Sequence, residues 1–157
     1  MKKSVVLILI TVYVLALVVV GSIGANILVY EEKVYIEKVS IASVKMEQEA
    51  LTIKKSDDGT FYCDAKTTKS EREKGVAFTI ECAVLPADAT NGKIEVQIDP
   101  TQQELVKNLT VSGTTVTFEV VCSGKPPTIK LIVKPEDSNL DSAKDMIFIR
   151  LKDKPLM

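Results

Sequence analysis

The distribution of apolar and polar positions divides the chain into two unlike parts. From Ser4 to Tyr30 there are 27 residues without a charge, bounded by Lys3 and Glu31. Apolar character is strongest over the sixteen residues from Val5 to Val20 and resumes at Ile27. As a helix, this segment would reach roughly 40 Å at about 1.5 Å per residue. A bilayer's hydrocarbon core is about 30 Å thick and takes about 20 residues. The pattern therefore predicts a transmembrane helix over residues 1–30, with the lipid bilayer as partner through residues 4–30 and Tyr30 at the outer interface. Lys2 and Lys3 favour a cytoplasmic N-terminus, which places residues 31–157 outside the cell membrane in a single-pass arrangement. A cleaved signal peptide has a shorter apolar run, about 7–15 residues, before a small-residue cut site. Ser22-Ile23-Gly24 and Gly24-Ala25 offer such a junction, so a secreted form is the alternative.

Beyond a charged juxtamembrane linker over residues 31–38, the period becomes two. In GVAFTIECAVLP, Val76, Phe78, Ile80, Cys82 and Val84 fall on one side, opposite Thr79 and Glu81. KIEVQI places Ile94, Val96 and Ile98 together. TTVTFEVVC does the same with Val116, Phe118, Val120 and Cys122; TIKLIV and MIFIRL follow. Asp57-Asp58-Gly59, Asn91-Gly92, Ser112-Gly113 and Ser123-Gly124 supply turns between the runs. QQELVKNL fits either one helical turn or a short edge strand. KTTKSEREK, residues 66–74, is polar throughout and is expected as a long exposed loop. Half-buried runs of this kind need a facing sheet to cover their apolar sides. The expected fold is all-β: an antiparallel sandwich of the immunoglobulin type with about seven strands over 39–153, and a C-terminal tail at 154–157.

The order VSIASVKMEQEALTIKKSD, VAFTIECAVLPADATNGKIEVQID and VTFEVVCSGKPPTIKLIV resembles a bacterial immunoglobulin-like domain of group 2 (BIG2) over residues 38–152. The most specific piece, Leu85-Pro86-Ala87-Asp88-Ala89-Thr90-Asn91, is similar to that family's turn before its third strand. The chain departs from the family in three places. Val96 stands where a tryptophan is usual, Leu105–Val111 replaces a Val-Ala-x-Val strand, and an insertion from Gly59 to Lys74 separates the first two strands. The resemblance implies a cell-surface or extracellular module used as a spacer or for adhesion, without catalysis.

Charge and reactive residues narrow the picture further. After Lys3 the chain holds 18 basic and 21 acidic residues, a net of −3. That balance argues against a nucleic-acid partner, which needs a basic face. Histidine is absent, which removes the commonest general base. The three cysteines, Cys63, Cys82 and Cys122, include no CxxC pair and so no zinc or redox motif. If the strands of Cys82 and Cys122 lie antiparallel, the two thiols sit at opposite ends of the sheet, too far apart to bond. They are expected as small apolar fillers. Asp137-Ser138-Asn139-Leu140-Asp141 opens like a calcium loop, but Ser142 and Phe148 stand where an EF-hand needs glycine and glutamate. Glu47/Glu49 and Asp57/Asp58 are carboxylate pairs that nothing in the sequence sets face to face. Asn108-Leu109-Thr110 fits a glycosylation sequon, relevant only in a eukaryote.

No catalytic, cofactor-binding or metal-ligating residue is assigned, and no cofactor is expected. The expected function is a membrane-anchored, non-catalytic surface module that binds a protein or glycan partner or serves structurally. Residues 66–74 and 136–144 are its candidate contact loops. The alternative is a pilin-like filament subunit whose apolar helix packs in a fibre core.

Overall fold

A computed structural model of the protein describes residues 3–27, 32–137 and 141–155. The chain forms two compact units, Met1–Lys33 and Val34–Met157. The first is a single helix, α1 (Lys3–Ile27), of 25 residues. Its described side chains are exposed and, Thr11 apart, apolar, among them Ile8, Tyr13, Val18 and Val20. Among the described residues no helix is long and apolar enough to cross a membrane.

The second unit is a sandwich of two five-stranded sheets. The first has the order β2-β1-β5-β8-β7 and the second β3-β4-β10-β9-β6. The strands are β1 (Lys38–Met46), β2 (Glu49–Leu51), β3 (Lys54–Lys55), β4 (Phe61–Thr67), β5 (Val76–Leu85) and β6 (Ile94–Ile98). After them come β7 (Val106–Ser112), β8 (Thr115–Val120), β9 (Thr128–Pro135) and β10 (Asp145–Asp153). Setting aside the short hairpin strands and β4, seven long strands remain. The first, second, fifth and fourth of these lie side by side in one sheet, and the third, sixth and seventh form the other. That order is the immunoglobulin arrangement. β4 then pairs parallel with β10, from Ile147↔Phe61 to Asp153↔Thr67, so the chain crosses early from one sheet to the other.

The alternating runs form strands because each has something to cover. Val39, Val44, Phe78, Ile80, Val116, Phe118 and Val120 point inward from the first sheet; Ile129, Leu131, Val133, Ile147 and Ile149 meet them from the second. All are 2% exposed or less. The Phe78 and Phe118 rings, paired across β5 and β8, stack with centroids 5.4 Å apart. Asp145 adds a polar link between sheets: its Oδ2 accepts from the Ile41 amide at 2.8 Å, beside the bulge at Ile41/Ser43.

Several expectations need correction. The stretch from Gly59 to Lys74 is not a loop insertion. It contains β4 and a short helix, α2 (Lys69–Lys74), which only Thr68 separates. The helix starts with a capping box, Thr68 Oγ1 accepting from the Glu71 amide and Glu71 accepting from the Thr68 amide. Among the described residues ten strands replace the expected seven, because the turns around residues 47 and 59 each close a small hairpin. Part of the linker expected over 31–38 belongs to the sandwich: Ile36 is buried, and the Glu37 amide donates to the Leu85 carbonyl. QQELVKNL contributes to both options weighed for it, a 3-10 helix over Pro100–Leu105 followed by β7.

Candidate functional site

Pairing register decides which charges share a face. In the first sheet the outward positions are small and hydroxylic. Thr79 pairs with Thr117, Thr117 with Thr110, and Ser40 with Ala83. The outward charges here are Lys38, Lys45, Lys107, Glu81 and Glu119, three cations against two carboxylates. Lys45 Nζ lies 2.6 Å from Glu81 Oε1, and Ser43 donates to the same carboxylate. These bonds from Lys45 and Ser43 hold the Glu81 carboxyl below its ordinary pKa.

The outward face of the second sheet is different. Across β9, β10, β4 and β3, one row reads Lys130, Phe148, Tyr62, Lys54. The next row reads Thr128, Arg150, Asp64, and beyond it Lys152 sits beside Lys66. On the far edge Lys134 pairs with Glu95 across β9 and β6. Six cations thus share this face with two carboxylates. Asp64 is the local anchor: Lys152 Nζ lies 3.0 Å from Oδ1 and Lys54 Nζ 3.6 Å from Oδ2. Burial raises its pKa, but the hydrogen bond and charge of Lys152, with Lys54 behind it, outweigh burial and leave it below the ordinary value. The Arg150 guanidinium lies 3.9 Å from the Tyr62 ring centroid, a cation–π stack.

Among the described residues, two of the grooves on the sandwich border these faces. One, of about 480 Å³, lies between the β1–β2 hairpin and the cationic face and is lined by Lys54, Asp64, Lys66, Lys152 and Lys154. The other, of about 520 Å³, lies between edge strands β6 and β7 and is largely apolar, with Val96, Ile98, Val106 and Leu109 on its walls.

The candidate loops of the sequence reading divide accordingly. Lys66 belongs to the cationic face, whereas α2 points its Arg72 inward, 2% exposed. Arg72 Nη1 pairs with Asp153 Oδ1 at 2.8 Å and donates to the Thr67 carbonyl and hydroxyl. That segment is a latch between α2 and the end of β10, not a free contact loop. Of 136–144, residues 138–140 lie outside the described ones; Ala143 is buried under a 3-10 turn.

Asp58 serves the turn, accepting from the Thr60 amide and hydroxyl. Glu47 lies in the β1–β2 turn with positive φ, and Glu49 opens β2. Asn108, in the β7 irregularity, donates to Glu119. Among the described residues no group of three or more Cys, Asp or Glu is arranged to hold a metal.

The thiols are all free. Val76↔Val120 at one end of the β5–β8 ladder and the Cys82–Thr114 bond at the other keep Cys82 and Cys122 apart, as antiparallel strands require. Burial pushes Cys63 up to about 12 and Cys82 to about 11, so both are inert thiols. Cys122 corrects the expectation of a core filler: β8 ends at Val120, and Cys122 is half-buried with its Sγ toward the Lys125 carbonyl.

What the sequence reading missed is the basic face. A net charge of −3 says nothing about where the positive charges collect. The missing signal was the FYCDAKT strand, whose Tyr62, Asp64 and Lys66 alternate with Cys63, Ala65 and Thr67. No protein-family model matches the chain, and no curated protein matches it. A solved structure, a chimeric titin Z1Z2 functionalized with a KLER exogenous peptide from decorin, is similar at 8% identity with a TM-score of 0.36. The match covers 73% of this chain and 99% of that one. The immunoglobulin-like assignment stands on strand order and the parallel β4–β10 pairing.

Proposed function

We propose that this chain is a non-catalytic surface module, tethered to a membrane by α1 and presenting its immunoglobulin-like sandwich for binding or structural use. The observation that carries the reading is α1 itself: 25 helical residues whose described side chains are exposed and, Thr11 apart, apolar. A helix apolar all round has no stable place in water and calls for lipid or protein around it. The uncharged stretch continues to Tyr30, so the length expected of a bilayer span is available. Lys2 and Lys3 then put the N-terminus in the cytoplasm and the sandwich outside. Thiols with raised pKa suit either redox setting, since none depends on a partner.

Group 2 of the bacterial immunoglobulin-like domains is the finer assignment. Its support is the turn after β5, where the Ala89 amide donates to the Pro86 carbonyl and the Thr90 hydroxyl accepts from the Val34 amide. This turn, Pro86 to Asn91, is the stretch on which the resemblance rests.

Cell fractionation with an alkaline carbonate wash, followed by intact-mass determination, tests the tether. Full-length chain released only by detergent is the expected result. Soluble chain lacking its first two dozen residues would overturn it.

A further inference from the structure

We infer that the outward face of β4, β10 and β9 docks an anionic polysaccharide, a glycan chain bearing carboxylate or phosphate groups. Its extracellular setting rests on the reading above; the docking chemistry does not. The row Lys130, Phe148, Tyr62, Lys54 crosses four strands, about 14 Å at the usual strand spacing. It places the half-buried Phe148 ring and the Tyr62 ring under Arg150 between two ammonium groups. Lys54 and Lys152 are matched by Asp64, and Lys134 by Glu95 at 3.2 Å. Among the described residues, Lys66, Lys130 and Arg150 have no carboxylate within ion-pair distance.

The opposite sheet carries three outward cations against two carboxylates, where this face carries six against two, so the positive charge is concentrated here on a unit that is negative overall. This separates local charge complementarity from general basicity. Lysine is depleted in protein–protein interface cores, where arginine and aromatic anchors dominate. Here the lysines outnumber the single Arg150, and that guanidinium already covers Tyr62. Compact, hydrated ammonium groups fit a chain whose charges stay partly solvated and whose binding releases counterions. A nucleic-acid strand would want bare rings for base stacking, and an acidic protein an apolar anchor site.

The test uses the full chain in nonionic detergent, so it is independent of the tether's fate. Binding is measured by biolayer interferometry to immobilised polygalacturonate and to a poly(glycerol phosphate) chain. Polyglutamate, a single-stranded oligonucleotide and neutral dextran are run beside them. Saturable binding to at least one anionic glycan is expected, with little to dextran; which of the two binds tighter tells carboxylate from phosphate. Lys66→Gln with Lys130→Gln should weaken it about tenfold and lower the log–log salt slope by about two. Lys45→Gln with Lys107→Gln removes the same charge from the opposite face and should change affinity less than twofold. Equal losses from both pairs, no saturable glycan binding, or tighter binding to polyglutamate or the oligonucleotide would each overturn the inference.

Discussion

The two outward faces of the sandwich are built on the same core from similar strands, yet they differ in kind. One is a carpet of serine, threonine and alanine with three cations and two carboxylates, Lys45 being answered by Glu81. The other sets six cations and two aromatic rings against two carboxylates, Asp64 and Glu95. Both faces follow from the period of two, since inward residues fix which neighbours point out. A one-residue slip of β10 would turn Arg150 and Lys152 into the core and Ile149 and Leu151 into water. The strong register of Ile147 and Ile149 against Leu131 and Ile129 therefore protects the charged face as well as the core. The lesson is that surface charge here is a by-product of core packing, sorted strand by strand.

The inward sides can be broken far more easily than the outward ones, which gives the sharpest contrast. Phe118→Ala should cost about 3–5 kcal/mol, because it opens a cavity and removes the stack with Phe78. Phe148→Ala, on the outward face of β10, should cost well under half of that. Urea titration of both variants, followed by circular dichroism, measures the difference. Comparable losses would mean that the inward face of the first sheet and the outward face of the second do not differ in packing.

The Arg72 latch comes next in size. Arg72→Met keeps the stem's packing but frees Asp153 and leaves the buried Thr67 hydroxyl without its donor, for a cost of about 1–3 kcal/mol. Because Asp153 is 66% exposed, its own loss of a partner adds little. Hydrogen exchange should show the opening confined to α2 and the end of β10.

The carboxylates of the two faces should then answer differently to losing their lysines. Both Asp64 and Glu81 titrate below their ordinary values of 3.8 and 4.5. Such lowered values add stability above those ordinary values, and it is lost as pH falls through the lowered ones. Lys54→Gln with Lys152→Gln leaves Asp64 with burial as its main influence, so its pKa should rise past 3.8. Lys45→Gln should raise Glu81 by less, since Ser43 still donates to it. Carbon-detected NMR titration of the two carboxyls distinguishes these outcomes.

The smallest effect concerns the thiols. With Cys63 and Cys82 buried, a thiol reagent at neutral pH should modify only Cys122 in the folded protein, and all three once it is unfolded. Mass spectrometry of the modified chain counts them.

The strong strands were legible because alternation is a local property: β5, β6, β8, β9 and β10 stand where the runs of Val, Ile and Phe stand. β4 was not, because its inward residues, Cys63, Ala65 and Thr67, are small or polar and give a weak period. The helix after it was obscured by polarity, although Thr68 and Glu71 carry a readable capping box. Its Arg72 looked like surface because a buried arginine depends on Asp153, 81 positions away, which no local pattern announces.

The sequence by itself determined the uncharged helix, the alternating strands, the turns that punctuate them and the immunoglobulin-like expectation, since each depends on neighbours within about ten residues. Only the tertiary structure decided that β4 runs parallel to β10, that Cys122 leaves the core, and that cations from four separate strands gather on one face. Those outcomes depend on register between distant segments, and register is set by how the whole core closes, not by any one stretch of it.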